Sequence, residues 1–106
     1  MNMIFDWDEN KEQTNSEKHG GVDFIDASLA VQDDFALEEY DQAHSTAEEK
    51  RFSCIGSTGR QVLYVVYTVR YEGTENAVYR IITARLAEPD ERESYEREKF
   101  NSGYFG

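Results

Sequence analysis

Val62-Leu63-Tyr64-Val65-Val66-Tyr67-Thr68-Val69 is the most apolar stretch of the chain, and its reading decides the fold. A run this rich in β-branched and aromatic residues reads as a buried strand, covering about 61–71. Gly73 and Asn76 then supply a hairpin turn. A second strand over about 77–84 carries Arg80-Ile81-Ile82-Thr83-Ala84-Arg85, two cationic forks around an apolar run. Arginine on a sheet strand of an acidic chain has two explanations. It pairs with one of the abundant carboxylates, or it belongs to an anion site, with phosphate as the natural ligand.

The chain has 106 residues, enough for one small domain with a single core. Its 39% hydrophobic content, with six Phe and seven Tyr, is that of a folded domain. Met1-Asn2-Met3-Ile4-Phe5-Asp6 lacks the basic and apolar regions of a signal peptide, and no apolar run approaches the roughly 20 residues that span a bilayer. Cys54 is alone, so no internal disulfide or cysteine metal site is expected. These features predict a cytoplasmic protein with no membrane attachment. The formal net charge of −11 argues against nucleic-acid binding by the chain as a whole. Its distribution modifies that conclusion. Residues 1–49 hold only Lys11 and Lys18 against fourteen carboxylates, whereas residues 50–106 hold nine cations against eight carboxylates. All seven arginines lie within residues 50–106, so a local cationic surface on the sheet is compatible with the overall sign.

Ile4 to Trp7 reads as a short strand or entry segment. Asp8 is a good N-cap for a helix over 9–18, with Glu9 and Glu12 in its first turn and almost no apolar face. His19-Gly20-Gly21 ends it. Asp23 caps a second helix over about 24–32, whose Phe24, Ala27, Ser28 and Val31 line one face. Phe35 to Tyr40 is a further strand, 41–49 an exposed connection, and Lys50 to Gly56 the next strand, with Phe52 and Cys54 facing the core and Arg51 and Ser53 opposite. Gly56-Ser57-Thr58-Gly59 turns the chain into the apolar stretch. Pro89 opens a polar C-terminal helix over about 89–99 with Tyr95 as its apolar anchor, supported by Glu88/Arg92 and Glu93/Arg97 pairs. Residues 100–106 read as a flexible tail. The order predicts an α+β domain over 1–99, with two N-terminal helices and a C-terminal helix against one face of a mainly antiparallel sheet of four or five strands. The other face is left for binding.

Phe5-x-Trp7-Asp8, Lys11, Asn15, Lys18-His19-Gly20, Phe24-x-x-Ala27, His44-Ser45, Glu49, Arg51 and Gly56 form one ordered series. It continues through Tyr67-Thr68, Arg80-Ile81-Ile82-Thr83-Ala84-Arg85-x-Ala87, Glu91 and Tyr95. The series resembles the BrnT family of toxins from type II toxin–antitoxin pairs, over residues 5–96. The resemblance implies a RelE-like fold and a metal-independent endoribonuclease that inhibits translation. It also implies a BrnA-type antitoxin partner that neutralises the toxin, an RNA substrate, and contact with operator DNA only indirectly, through the antitoxin. The chain departs from the family pattern in three places. Leu86 stands where a lysine is common and Ala43 where an arginine is frequent. The usually basic C-terminal helix reads Glu88-Pro89-Asp90-Glu91-Arg92-Glu93-Ser94. Each departure removes positive charge, which supports the alternative of a catalytically weakened interaction module or co-repressor that keeps its antitoxin.

Cleaving RNA without a metal requires removal of the 2′-OH proton, stabilisation of the phosphorane and protonation of the leaving 5′-oxygen. Arginine suits the second task because its planar, permanently charged fork engages two phosphate oxygens. Histidine or tyrosine can move the protons. The candidates are therefore Arg51, Arg80 and Arg85 for phosphate, with His19, His44 and Tyr67 for proton transfer or base stacking, and no cofactor or metal is expected. Each has a purely structural alternative. His19 can finish a helix, His44 can be an exposed bystander, Tyr67 can be core, and Arg51 can pair with Glu48 or Glu49 on the surface. Arg80 and Arg85 are an odd five residues apart, so a regular strand puts them on opposite faces. Thr83 and Arg85 would then share a side with Tyr79 and Ile81, and Arg80 with Val78, Ile82 and Ala84. Both arginines reach one side only if a bulge intervenes or Arg85 lies past the strand end. The spacing predicts different tasks for the two.

Overall fold

The structure, a computed structural model, describes residues 3–18 and 20–102. Strand β1 (Ile4–Trp7) leads into helix α1 (Glu9–Lys18), then α2 (Phe24–Val31). Strand β2 (Leu37–Asp41) passes through a single 3₁₀ turn, Gln42–His44, to β3 (Glu49–Ser57), β4 (Val62–Arg70) and β5 (Val78–Leu86). Helix α3 (Pro89–Asn101) closes the chain. The sheet order is β1-β5-β4-β3-β2. β1 runs parallel to β5 and every other pair is antiparallel, so the sheet is mixed. The short entry segment thus pairs with the last strand of the sheet, the one connection that a hairpin reading of the sequence does not supply.

Alternation along β4 sets the two faces. Leu63, Val65, Tyr67 and Val69 are buried on one side, against Phe24, Ala27 and Ala30 of α2 and Cys54, Ile81 and Ala84 from neighbouring strands. Burying a side chain such as Phe24 or Leu63 completely contributes about 1.5–3 kcal/mol. Trp7 closes this core with its edge on the Phe24 ring, 6.1 Å away. Helix and strand meet most tightly at Gly56, where a Cβ would lie 2.1 Å from the Ala30 carbonyl oxygen, so any side chain there pushes α2 off the sheet.

The three helices meet different strands of the sheet. α2 packs across β3, β4 and β5, whereas α1 meets β5 and α3 meets β3. α1 has the polar composition expected of a thin cover, and Asn15 is its buried residue. β1 stops at Trp7, opposite Ile81, so β5 runs on with an open edge, and Asn15 fills the place of the missing strand. Its Nδ2 donates to the Ala84 carbonyl (2.7 Å), and its Oδ1 accepts the Ala84 N–H (3.0 Å) and the Thr83 hydroxyl (2.7 Å). α3 is held by Tyr95, whose hydroxyl donates to Asp33 beyond the end of α2; Asp33 also accepts the Ser57 N–H at the end of β3. α3 extends to Asn101, so Phe100 and Asn101 belong to the helix and not to the expected tail. Ser102 caps the helix, and the rest of that tail, 103–106, lies outside the described residues.

The faces of β5 differ from those a regular strand would have. Tyr67 is opposite Ile81 but Val66 is opposite Thr83, so Ile82 is an unmatched residue and the strand bulges there. Tyr79, Ile81, Ala84 and Leu86 therefore share the α2 face, and Arg80, Thr83 and Arg85 share the other. The expected division of Thr83 and Arg85 from Arg80 is overturned by this one residue, and the bulge is the condition under which both arginines share a side.

Candidate functional site

On the face away from α2, five residues in register form a row across the whole sheet. Asp6 is opposite Arg80, Arg80 opposite Thr68, Thr68 opposite Arg51, and Arg51 opposite Asp41. With strands about 4.8 Å apart, the Cα atoms of Arg51 and Arg80 are about 10 Å apart, one on each side of Thr68. Two forks reaching inward from that spacing can hold one phosphate between them. Thr68 is 6% exposed. Its Oγ1 is buried and has no hydrogen-bond partner among the described residues. A buried, unpaired hydroxyl costs about 1–3 kcal/mol, and register places this one on the strand between Arg51 and Arg80, whose guanidinium groups turn outward to Asp41 and Asp6.

The arginines of the row are lightly held. Arg80 is 3.2 Å from Asp6 and Arg51 is 3.8 Å from Asp41, both in partly solvated pairs worth about 0–1 kcal/mol. A phosphate can displace such carboxylates. Arg85 differs. Its fork donates to both oxygens of Glu91 at 2.7 and 2.9 Å, and its guanidinium lies 4.2 Å over the Tyr64 ring. The Glu91 bond raises the Arg85 pKa above its ordinary value, and the same fork holds the Glu91 carboxyl below its ordinary value despite burial. Tyr64 is four residues from Thr68, so Arg85 lies about 13 Å along the sheet from Arg80. Arg85 ties α3 to β5, while Arg80 is available to a ligand.

His44 joins the row at its β2 end. Its Nδ1 is 2.8 Å from Asp41 Oδ2, the same oxygen that approaches Arg51. Asp41 Oδ1 also accepts the His44 N–H and so fixes the 3₁₀ turn. Ser45 ties that turn to β3, donating its hydroxyl to the Asp41 carbonyl and accepting the Arg51 N–H. A carboxylate on Nδ1 leaves Nε2 directed outward, the arrangement that orients a histidine for proton transfer. Tyr67 is placed elsewhere, on the α2 face, 1% exposed and stacked on Phe52. Burial and the bond it donates to Glu38 push its hydroxyl far above the ordinary phenol range. His19 lies outside the described residues. The structure thus brings Arg51, Arg80 and His44 onto one face and puts Arg85 and Tyr67 in other surroundings. Thr68, Asp6 and Asp41 were missed in the sequence because register, which carries them into the row, is set by turn geometry. The available signal was a lone threonine on the non-core side of the most apolar strand.

A family described as ribonuclease toxin, BrnT, of type II toxin–antitoxin system matches residues 7–91. The chain belongs to the BrnT family. Its matched region takes in β1 from Trp7 through the first turn of α3, and so includes Thr68, Arg51, Arg80, Asp41 and His44 of the row described above. Membership makes the chain one of a family of ribonuclease toxins that act with an antitoxin partner. No curated protein matches the chain significantly. No helix among the described residues is long and apolar enough to cross a membrane.

Proposed function

We propose that the chain is a cytoplasmic, metal-independent endoribonuclease toxin of RelE-like type, which inhibits translation and is neutralised by a BrnA-type antitoxin. The supporting observation is the row itself, two displaceable arginines around an orphaned hydroxyl with an oriented histidine at one end. Arg51 and Arg80 leave Asp41 and Asp6 to grip the scissile phosphate, and the Thr68 hydroxyl donates to one of its oxygens. Charge that builds on the phosphorane is met by two planar, cationic guanidinium groups. His44, held through Nδ1 by Asp41, moves a proton at Nε2. Operator DNA is met only through the antitoxin.

Expression of the chain should arrest growth, and Arg80→Ala should remove the arrest while leaving the circular dichroism spectrum unchanged. Purified protein that leaves RNA intact, alone and with translating ribosomes, would refute the enzymatic reading. A second reading follows from the same carboxylates. Both arginines of the row are charge-balanced and the first half of the chain is strongly acidic, as befits a non-catalytic module that captures a basic antitoxin segment. Capture of the antitoxin without RNA cleavage would select it.

A further inference from the structure

Lys11 and Lys18 are the only lysines or arginines among residues 1–49, and they line one groove. They are seven residues apart on α1, two helical turns, and so lie on one side of it. The groove has a volume of about 370 Å³ and runs between that side and β5 at Ile82 and Thr83, where the strand bulges. Lys11 and Ile82 also border a neighbouring groove of about 320 Å³ that contains Asp6, Arg70 and Arg80. The two grooves adjoin at Lys11 and Ile82, side by side along a track from Arg80 past the bulge to α1. Charges along it are not equally available. Arg80 is paired with Asp6 and Arg70 with Glu49, at 2.7 Å in the second case. Neither Lys11 nor Lys18 forms an ion pair among the described residues. Asp8 shares the groove, but its Oδ1 is occupied by the N–H groups of Asn10 and Lys11 as the cap of α1.

We infer that this groove is a second phosphate subsite, in which Lys11 and Lys18 hold the backbone of the RNA strand beyond the phosphate bound by Arg51 and Arg80. The inference rests on the ribonuclease reading above and adds the path of the substrate. Lysine on a helix gives a point charge without base readout, so the subsite is indifferent to sequence and contributes affinity, not chemistry.

The test uses the full chain and a fluorescent single-stranded oligoribonucleotide carrying 2′-O-methyl groups, which block cleavage, with anisotropy followed against salt. For single strands each phosphate contact contributes about 0.7 to the slope of log K against log salt, so two lysines contribute about 1.4, or roughly 25-fold between 1 M and 0.1 M salt. The double variant Lys11→Gln/Lys18→Gln should lose that slope and bind about 25-fold more weakly at 0.1 M. Lys11→Arg/Lys18→Arg should restore both, and a dinucleotide analogue with a single phosphate should bind the glutamine variant and the parent equally. An unchanged slope in the glutamine variant, or a loss that arginine does not restore, overturns the subsite. Arg80→Ala separates the two levels. If it binds and cleaves like the parent, the row reading fails. If it loses activity while the glutamine variant keeps its slope, only the groove fails.

Discussion

Replacement of Asn15 by alanine tests whether one polar side chain does the work of a missing strand. Asn15 is 6% exposed, and its amide satisfies both backbone groups of Ala84, a residue with no exposure, as well as the Thr83 hydroxyl. Alanine leaves the Ala84 N–H and C=O unpaired. Each such group costs about 1–3 kcal/mol, so the pair costs about 2–6 kcal/mol, and water entering the vacated space recovers part of it. A net loss of about 3 kcal/mol is expected, from a total stability of about 5–15 kcal/mol for a domain of this size. At about 4–8 °C per kcal/mol, Tm should fall by about 12–24 °C. Urea denaturation followed by circular dichroism gives the energy, and amide exchange at Ala84 locates it. Asn15→Asp is the informative companion, because it keeps the acceptor for the Ala84 N–H but turns a carboxylate toward the Ala84 carbonyl. It should be destabilising at neutral pH and partly rescued in acid, where the protonated group donates again. A loss below about 1 kcal/mol for Asn15→Ala, without faster exchange at Ala84, would refute the edge-closing role.

Two further outcomes follow from packing and charge. Gly56→Ala should cost about 3 kcal/mol or more in urea denaturation, because the new methyl group meets the Ala30 carbonyl and not a movable side chain. Arg85→Ala should lower stability by about 1–2 kcal/mol at pH 7 through the lost fork on Glu91. Arg85 holds the native Glu91 carboxyl below its ordinary pKa, so this contribution is complete above the ordinary carboxylate range and fades as pH falls through the native one. Thermal melts of parent and variant should therefore draw closer as pH falls, and a gap that does not narrow in acid would contradict the assignment.

The sequence made the strongly patterned elements legible. The β-branched run of β4, the alternation of Arg51, Phe52, Ser53 and Cys54 in β3, and the Asp8 and Asp23 caps each state their structure locally. α1 is found where its cap and acidic first turn place it. What could not be read is what depends on partners distant in the chain. Asn15, in the middle of a polar helix, has the local signature of a surface residue; only the early end of β1 makes it a core contact. Ile82 has nothing in its neighbours to mark it as the bulged residue, and the faces of Arg80 and Arg85 depend on it. The odd spacing did identify the question, and separation of the two arginines into a lightly paired, exposed position and a helix-anchoring position answers it. The site was legible as a set of residue types, with Arg51, Arg80 and His44 on one face. Asp6, Asp41 and Thr68 enter only through register.

Parallel pairing of β1 with β5 has a consequence for the order in which the protein comes into being. Asp6 and Arg80 are 74 residues apart, and the row draws one residue from every strand of the sheet. A nascent chain presents its amino-terminal strand early, but that strand has nowhere to dock until the last strand has left the ribosome. Contacts of such long range also make closure of the sheet a late event in folding. The row that places Arg51, Thr68 and Arg80 side by side thus does not exist until β5 has been made and has docked between β4 and β1.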